Sequence, residues 1–109
     1  MITSSQVRGL ALALPEATEA PHFDRASFRV RGKIFATIAA DGESGMLKLD
    51  LEQHEALLKA DPDAFFSFGG WSRSGATGVH FARVGKALFR DLLQQAFRNV
   101  APRALRGDR

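Results

Sequence analysis

The hydrophobic residues of this chain repeat with one period at its two ends and another between them, and that change limits the fold more than any other feature. Val7, Leu10, Ala11 and Leu14 fall at i, i+3, i+4 and i+7, a single helical stripe. Thr3 through Gln6 has the spacing of a capping box, and Pro15 ends the helix because it lacks a donor and disfavours helix at the residue before it. From Ala17 to about Leu49 the period becomes two. Phe28 and Val30 take one face of a strand and Arg29 and Arg31 the other, and Arg31-Gly32 makes a tight turn with glycine at a positive φ. Lys33–Ala40, apolar almost throughout, reads as a central strand covered on both faces, and Gly45–Leu49 follows after the turn at Asp41–Ser44.

Asp50 and Gln53 repeat the capping-box spacing and open a second helix. Leu51, Leu57 and Leu58 are expected to bury its inner side and His54 to be exposed; Asp61-Pro62 stops it. Asp63–Gly78 reads as an irregular loop folded back over the core, carrying Phe65, Phe66, Phe68 and Trp71. Val79–Val84 is read as a last strand with Val79 and Phe81 inward and His80 outward. Gly85 to about Ala101 is the longest helix, with Phe89, Leu92, Leu93, Ala96, Phe97 and Val100 as its core stripe, and Arg103–Arg109 is expected to fray. N-terminal, middle and C-terminal helices beside an antiparallel meander make an α+β fold. At 109 residues the chain is expected to be one domain over residues 1–102 with a basic tail over residues 103–109.

The residues that carry this pattern also carry a likeness. Leu14-Pro15-Glu16-Ala17-Thr18-Glu19, Pro21-His22-Phe23 and the run Ser27–Ala36 resemble the MmcQ/YjbR family. So do Leu47-Lys48-Leu49, Gly69-Gly70-Trp71 and Val100-Ala101-Pro102-Arg103, in the family's order and at its spacing. The resemblance implies a compact α+β fold related to the double-wing and frataxin-like domains, and a DNA-binding role assigned by structural analogy. One departure is Ala76, where similar sequences carry a second tryptophan.

Composition narrows the chemistry. There is no cysteine, which excludes disulfides, thiolate nucleophiles and Cys-ligated zinc. No apolar run approaches the ~18 residues of a membrane span and no leader pattern opens the chain, so a cytoplasmic protein is expected, with a monomer as the default. His22 and Asp24, two apart in an extended segment, would share a face, but with Glu19 they supply too few convergent ligands for a metal site. Iron, which the frataxin likeness raises, calls for clustered exposed carboxylates, and Glu16, Glu19 and Asp24 are scattered. Ser72 and Ser74 lack the framing of a nucleophile elbow, and Gly69-Gly70 lacks the rest of a P-loop or dinucleotide fingerprint. The expectation is a domain without catalytic residues, metal or cofactor. Arg106-Gly107-Asp108 matches an adhesion tripeptide by letters alone.

Charge supplies the binding hypotheses. Residues 1–63 hold seven basic and ten acidic side chains, a net of −3; residues 64–109 hold eight basic ones against Asp91 and Asp108, a net of +6. The expected contacts to a DNA phosphate backbone, without sequence preference, are Arg29, Arg31 and Lys33 around the hairpin, Arg73 and Arg83, and Lys86, Arg90 and Arg98 on the last helix. The alternative is a module for an acidic protein or a small ligand, using the sheet face and the Trp71 loop. His22, Phe23 and Trp71 are its candidate residues, with Phe66 and Arg29 as further anchors.

Overall fold

A computed structural model of the chain describes residues 1–106; of residues 71–73 it describes the backbone course and not the side chains. The elements run α1 (Ser4–Leu12), β1 (Thr18–His22), β2 (Arg25–Val30), β3 (Lys33–Ile38), β4 (Ser44–Lys48), α2 (Leu51–Ala60), β5 (Phe65–Ser67), β6 (Ala76–His80) and α3 (Lys86–Val100). Short 3-10 turns cover Gly69–Ser74, Phe81–Arg83 and Arg103–Leu105. The six strands form one antiparallel sheet in the order β1-β2-β3-β4-β6-β5. The α+β class expected from the change of period is the architecture found.

Both capping boxes form. Thr3 Oγ1 accepts the Gln6 N–H at 3.2 Å while Gln6 Oε1 accepts that of Thr3 at 3.0 Å, and Asp50 and Gln53 repeat the exchange at 2.7 and 2.9 Å. Each satisfies two of the donors that a helix start leaves open. The hairpin between β2 and β3 turns on Arg31 and Gly32, both at positive φ (52° and 81°), as a twisted two-residue connection requires.

Strand pairing decides which side chains meet. Phe28 pairs with Ala36, Ala36 with Leu47, and Gly45 with Val79, which in turn pairs with Phe65. A bulge at Phe28/Arg29 turns Phe35 toward this same inner face. There Phe35 meets the Phe97 ring edge-on, with 5.4 Å between centroids. Val7 and Ala11 of α1 and Phe89, Leu92, Leu93, Ala96 and Phe97 of α3 belong to the same buried cluster. Each such Leu or Phe contributes roughly 1.5–3 kcal/mol by leaving water. The three helices therefore cover one face of the sheet and leave the other open.

Several expectations are corrected here. β3 is not covered on both faces: Ile34 and Thr37 point away from the helices into an open depression. Ile34 is half-buried there although its neighbour Phe35 is fully buried. The stretch from Asp63 to Gly78 is not all loop, since β5 pairs with β6 and β6 begins at Ala76. Three residues are too short to show a period, and Phe65-Phe66 has no alternation to read. Gly78 makes the pairing possible, because a Cβ there would lie 2.3 Å from the Phe66 ring. The last strand stops at His80, and Phe81–Arg83 turns as a 3-10 helix that still buries Phe81. His54 is 5% exposed and not on the solvent side of α2, whereas Leu51 is largely exposed. The tail is ordered through Arg106: the half-buried Leu105 packs on the core, and the Arg98 guanidinium donates to the Arg106 carbonyl. Gly107 and Asp108 lie outside the described residues. Among the described residues no helix is long and apolar enough to cross a membrane.

Candidate functional site on the open sheet face

The open face is built from the strand positions whose neighbours along the chain fill the core. Ser27 pairs with Thr37, Thr37 with Met46, Met46 with Gly78 and Lys48 with Ala76. Register thus places Thr37 and Met46 at the centre of the floor, Arg25 beyond them toward the β1–β2 turn, and Lys48 beyond them in the opposite direction. The chain leaving β5 closes one side. Phe66 lies over Gly78 and against His80, with ring centroids 4.5 Å apart, and leads to Phe68, 5.2 Å from it. Between these walls is a depression of about 700 Å³ lined by His22, Arg25, Ile34, Thr37, Met46, Lys48, Phe68, Gly70, Ser74 and Ala76. That is within the ~300–1,000 Å³ of small-molecule sites.

Its polar groups are held in place by neighbours. The Arg25 guanidinium carbon stands 5.7 Å from the Phe68 ring centroid, a cation–π arrangement, and its Nη1 lies 3.5 Å from Thr37 Oγ1. Lys48 Nζ donates to Ser74 Oγ at 2.7 Å, which ties β4 to the 3-10 turn. Ser27 donates to the Ala20 carbonyl at 2.7 Å and accepts from Arg29 Nε at 3.0 Å, so Arg29 lies along the same face just outside the depression.

The expected site residues are dispersed. His22 lines the depression; Phe23 does not, but projects 89% exposed from the β1–β2 turn at φ 59°, beside the His22 ring. The side chains of Trp71 and Arg73 lie outside the described residues. Of the basic residues, Arg29 is on the open face, whereas Lys86, Arg90 and Arg98 occupy the solvent side of α3, across the sheet. Arg83 lies in the turn before α3. Lys33 and Arg31 are exposed at the hairpin, with Arg31 held by Glu16 at 2.7 Å. His22, Asp24 and Glu19 do not converge either. Glu19 and His22 point to opposite faces of β1, Asp24 lies past the end of the strand, and Glu19 pairs with Arg8 at 2.9 Å. Among the described residues no three His, Asp or Glu side chains are placed to hold a metal.

Sequence reasoning passed over Arg25, Ile34, Thr37, Met46, Lys48, Phe68, Ser74 and Ala76. For those in strands the signal was outward parity once the inward residues are assigned; Phe68 and Ser74 lie outside the strands and carry no such parity. Reading it across strands requires the order of the sheet, which the chain does not display.

No curated protein matches the chain. Among solved structures, that of the Deinococcus radiodurans protein DR2400, described with a DUF419 domain, is similar in fold, with a TM-score of 0.83. It is 23% identical, and the alignment covers 97% of this chain and 86% of that one. The YjbR family model matches residues 12–99, the whole sheet together with α2 and nearly all of α3, and on that match the chain belongs to the YjbR family.

Proposed function

We propose that this YjbR-family chain is a binding module for a small organic ligand, which seats in the depression on the open sheet face. One observation carries the reading: the fold leaves a whole sheet face uncovered by helix, and on it a concave, mostly apolar floor converges with a few anchored polar groups. Thr37, although it points away from the helices, is only 4% exposed, so the floor is already partly dry. Ligand sites take this form, an apolar cradle with few polar groups to set orientation. Methyl-resolved NMR with a panel of small aromatic probes tests it. The Met46, Ile34 and Ala76 methyl groups should shift together while those of Leu88 and Val100 on α3 stay still. Shifts scattered over both sides of the sheet, or none at millimolar probe, would reject the site.

Contact with a DNA backbone is the second reading. It is favoured by Lys86 and Arg90, exposed one turn apart on α3 and without a carboxylate partner among the described residues. Arg29 is across the sheet from them, so one duplex would meet a subset of the eight expected residues. Anisotropy titration of labelled duplex and single-stranded DNA at several salt concentrations separates the readings. DNA contact predicts affinity that falls log-linearly with salt and weakens in a Lys86→Ala/Arg90→Ala variant. Absence of binding at low salt would remove it.

A further inference from the structure

We infer that the ligand of the sheet-face depression is a small organic anion, a carboxylate or phosphate monoester on a flat apolar body, with its acid group on Arg25 and its other end toward Lys48. The inference rests on reading the depression as a binding site and adds the chemistry of what enters it.

Charge complementarity carries it. Among the described residues the lining holds Arg25, Lys48 and His22 and no Asp or Glu. Elsewhere this chain matches arginines with carboxylates, Arg8 with Glu19 and Arg31 with Glu16, both in two-pronged geometry. Arg25 and Lys48 have no such partner among the described residues; each meets a neutral hydroxyl, Thr37 Oγ1 and Ser74 Oγ respectively. Those contacts orient the two cations without a compensating carboxylate among the described residues. A guanidinium has five N–H donors and an ammonium three, so both keep donors for an incoming oxyanion. Arg25 is half-buried across the Phe68 ring, where water screens less and a charge-assisted pair is stronger than on an open surface.

The floor sets the rest of the ligand. Ile34, Met46 and Ala76 offer apolar contact and Phe68 a ring face, so an inorganic anion would leave most of the depression unused. Register puts Arg25 and Lys48 on either side of the Thr37–Met46 pair, which suits an acid at one end and a second acidic or polar group at the other.

The test uses three matched probes on the full chain: naphthoate, naphthyl phosphate and the uncharged naphthol, with affinities from calorimetry and seating from the Met46 methyl resonance. The anions are expected to bind ~10-fold or more tighter than naphthol, and whichever anion is tighter identifies the acid group. Arg25→Gln should weaken the preferred anion several-fold and Lys48→Gln less, both leaving naphthol unchanged, with amide spectra confirming that both variants fold. Naphthol binding as tightly as the anions while shifting Met46 would overturn the anion assignment and leave the site standing. Failure of all three probes to shift Met46 at millimolar concentration would overturn the site and the assignment together.

Discussion

Glu16 and Arg31, two non-glycine residues in left-handed backbone at φ 58° and 52°, close on one another in a two-pronged ion pair. Nε meets Oε1 at 2.7 Å and Nη2 meets Oε2 at 3.0 Å. One sits in the turn between α1 and β1, the other in the turn between β2 and β3, so the pair clasps two separate connections at one end of the sheet. Left-handed backbone is disfavoured for residues with a Cβ, and both turns hold it nonetheless.

The Arg31 hydrogen bonds, with its charge as a smaller effect, lower the Glu16 pKa below the usual glutamate range; reciprocally, Glu16 raises that of Arg31. A depressed folded-state pKa contributes stability that is present above the unfolded glutamate value and lost as pH falls through the lowered one. Exposure makes that contribution small. Carboxyl-detected NMR should therefore find Glu16 titrating below the ordinary range in the folded chain and returning to it in Arg31→Gln. An unchanged midpoint in that variant would mean that the pair does not form in solution.

His54 is bound in a buried relay. Its Nδ1 lies 2.8 Å from Thr77 Oγ1, and Thr77 donates its one hydroxyl hydrogen to the Gly75 carbonyl at 2.9 Å. The proton between ring and hydroxyl must then be on Nδ1. Thr77→Val leaves both the ring N–H and the Gly75 carbonyl without this partner. It should cost about 1–3 kcal/mol of unfolding free energy by urea titration. A His54→Leu/Thr77→Val double variant should lose less than the two single losses summed. Strict additivity would show that the two residues act independently.

Phe23 pays for its position twice in backbone and solvation, being an aromatic residue at φ 59° and 89% exposed. Phe23→Gly removes a left-handed cost of roughly 1–2 kcal/mol and adds a glycine entropy cost of about 0.5–1 kcal/mol. Almost no buried area is lost. The expected result is an unfolding free energy by urea titration that rises, by up to ~1.5 kcal/mol. A fall would show that its edge contact with the His22 ring, 4.9 Å between centroids, outweighs the backbone relief.

The helices were readable because their information is local. Thr3 and Gln6, or Asp50 and Gln53, lie within one turn of each other and signal a helix start wherever the chain goes afterwards. The stripe from Phe89 to Phe97 likewise names its own buried face. His54 ran against that local logic: among Glu52 and Glu55 it reads as a surface residue, and its burial depends on Thr77, a partner from another element. β5 was hidden for a similar reason, since Phe66 is placed by the absence of a side chain at Gly78.

By itself the sequence determined the α+β class, the two capped helix starts, the inward strand residues Phe28, Val30 and Val79, and the core stripe of α3. Periodicity and capping chemistry are properties of neighbouring residues, so one chain contains them in full. Tertiary structure alone decided that the three helices share one face, that Arg25 and Lys48 stand over the floor of the other, and that Arg29 is divided by the sheet from Lys86, Arg90 and Arg98. Those relations are set by strand order and register. A pairing between distant segments depends on how the whole chain buries its apolar surface, and no local pattern encodes it.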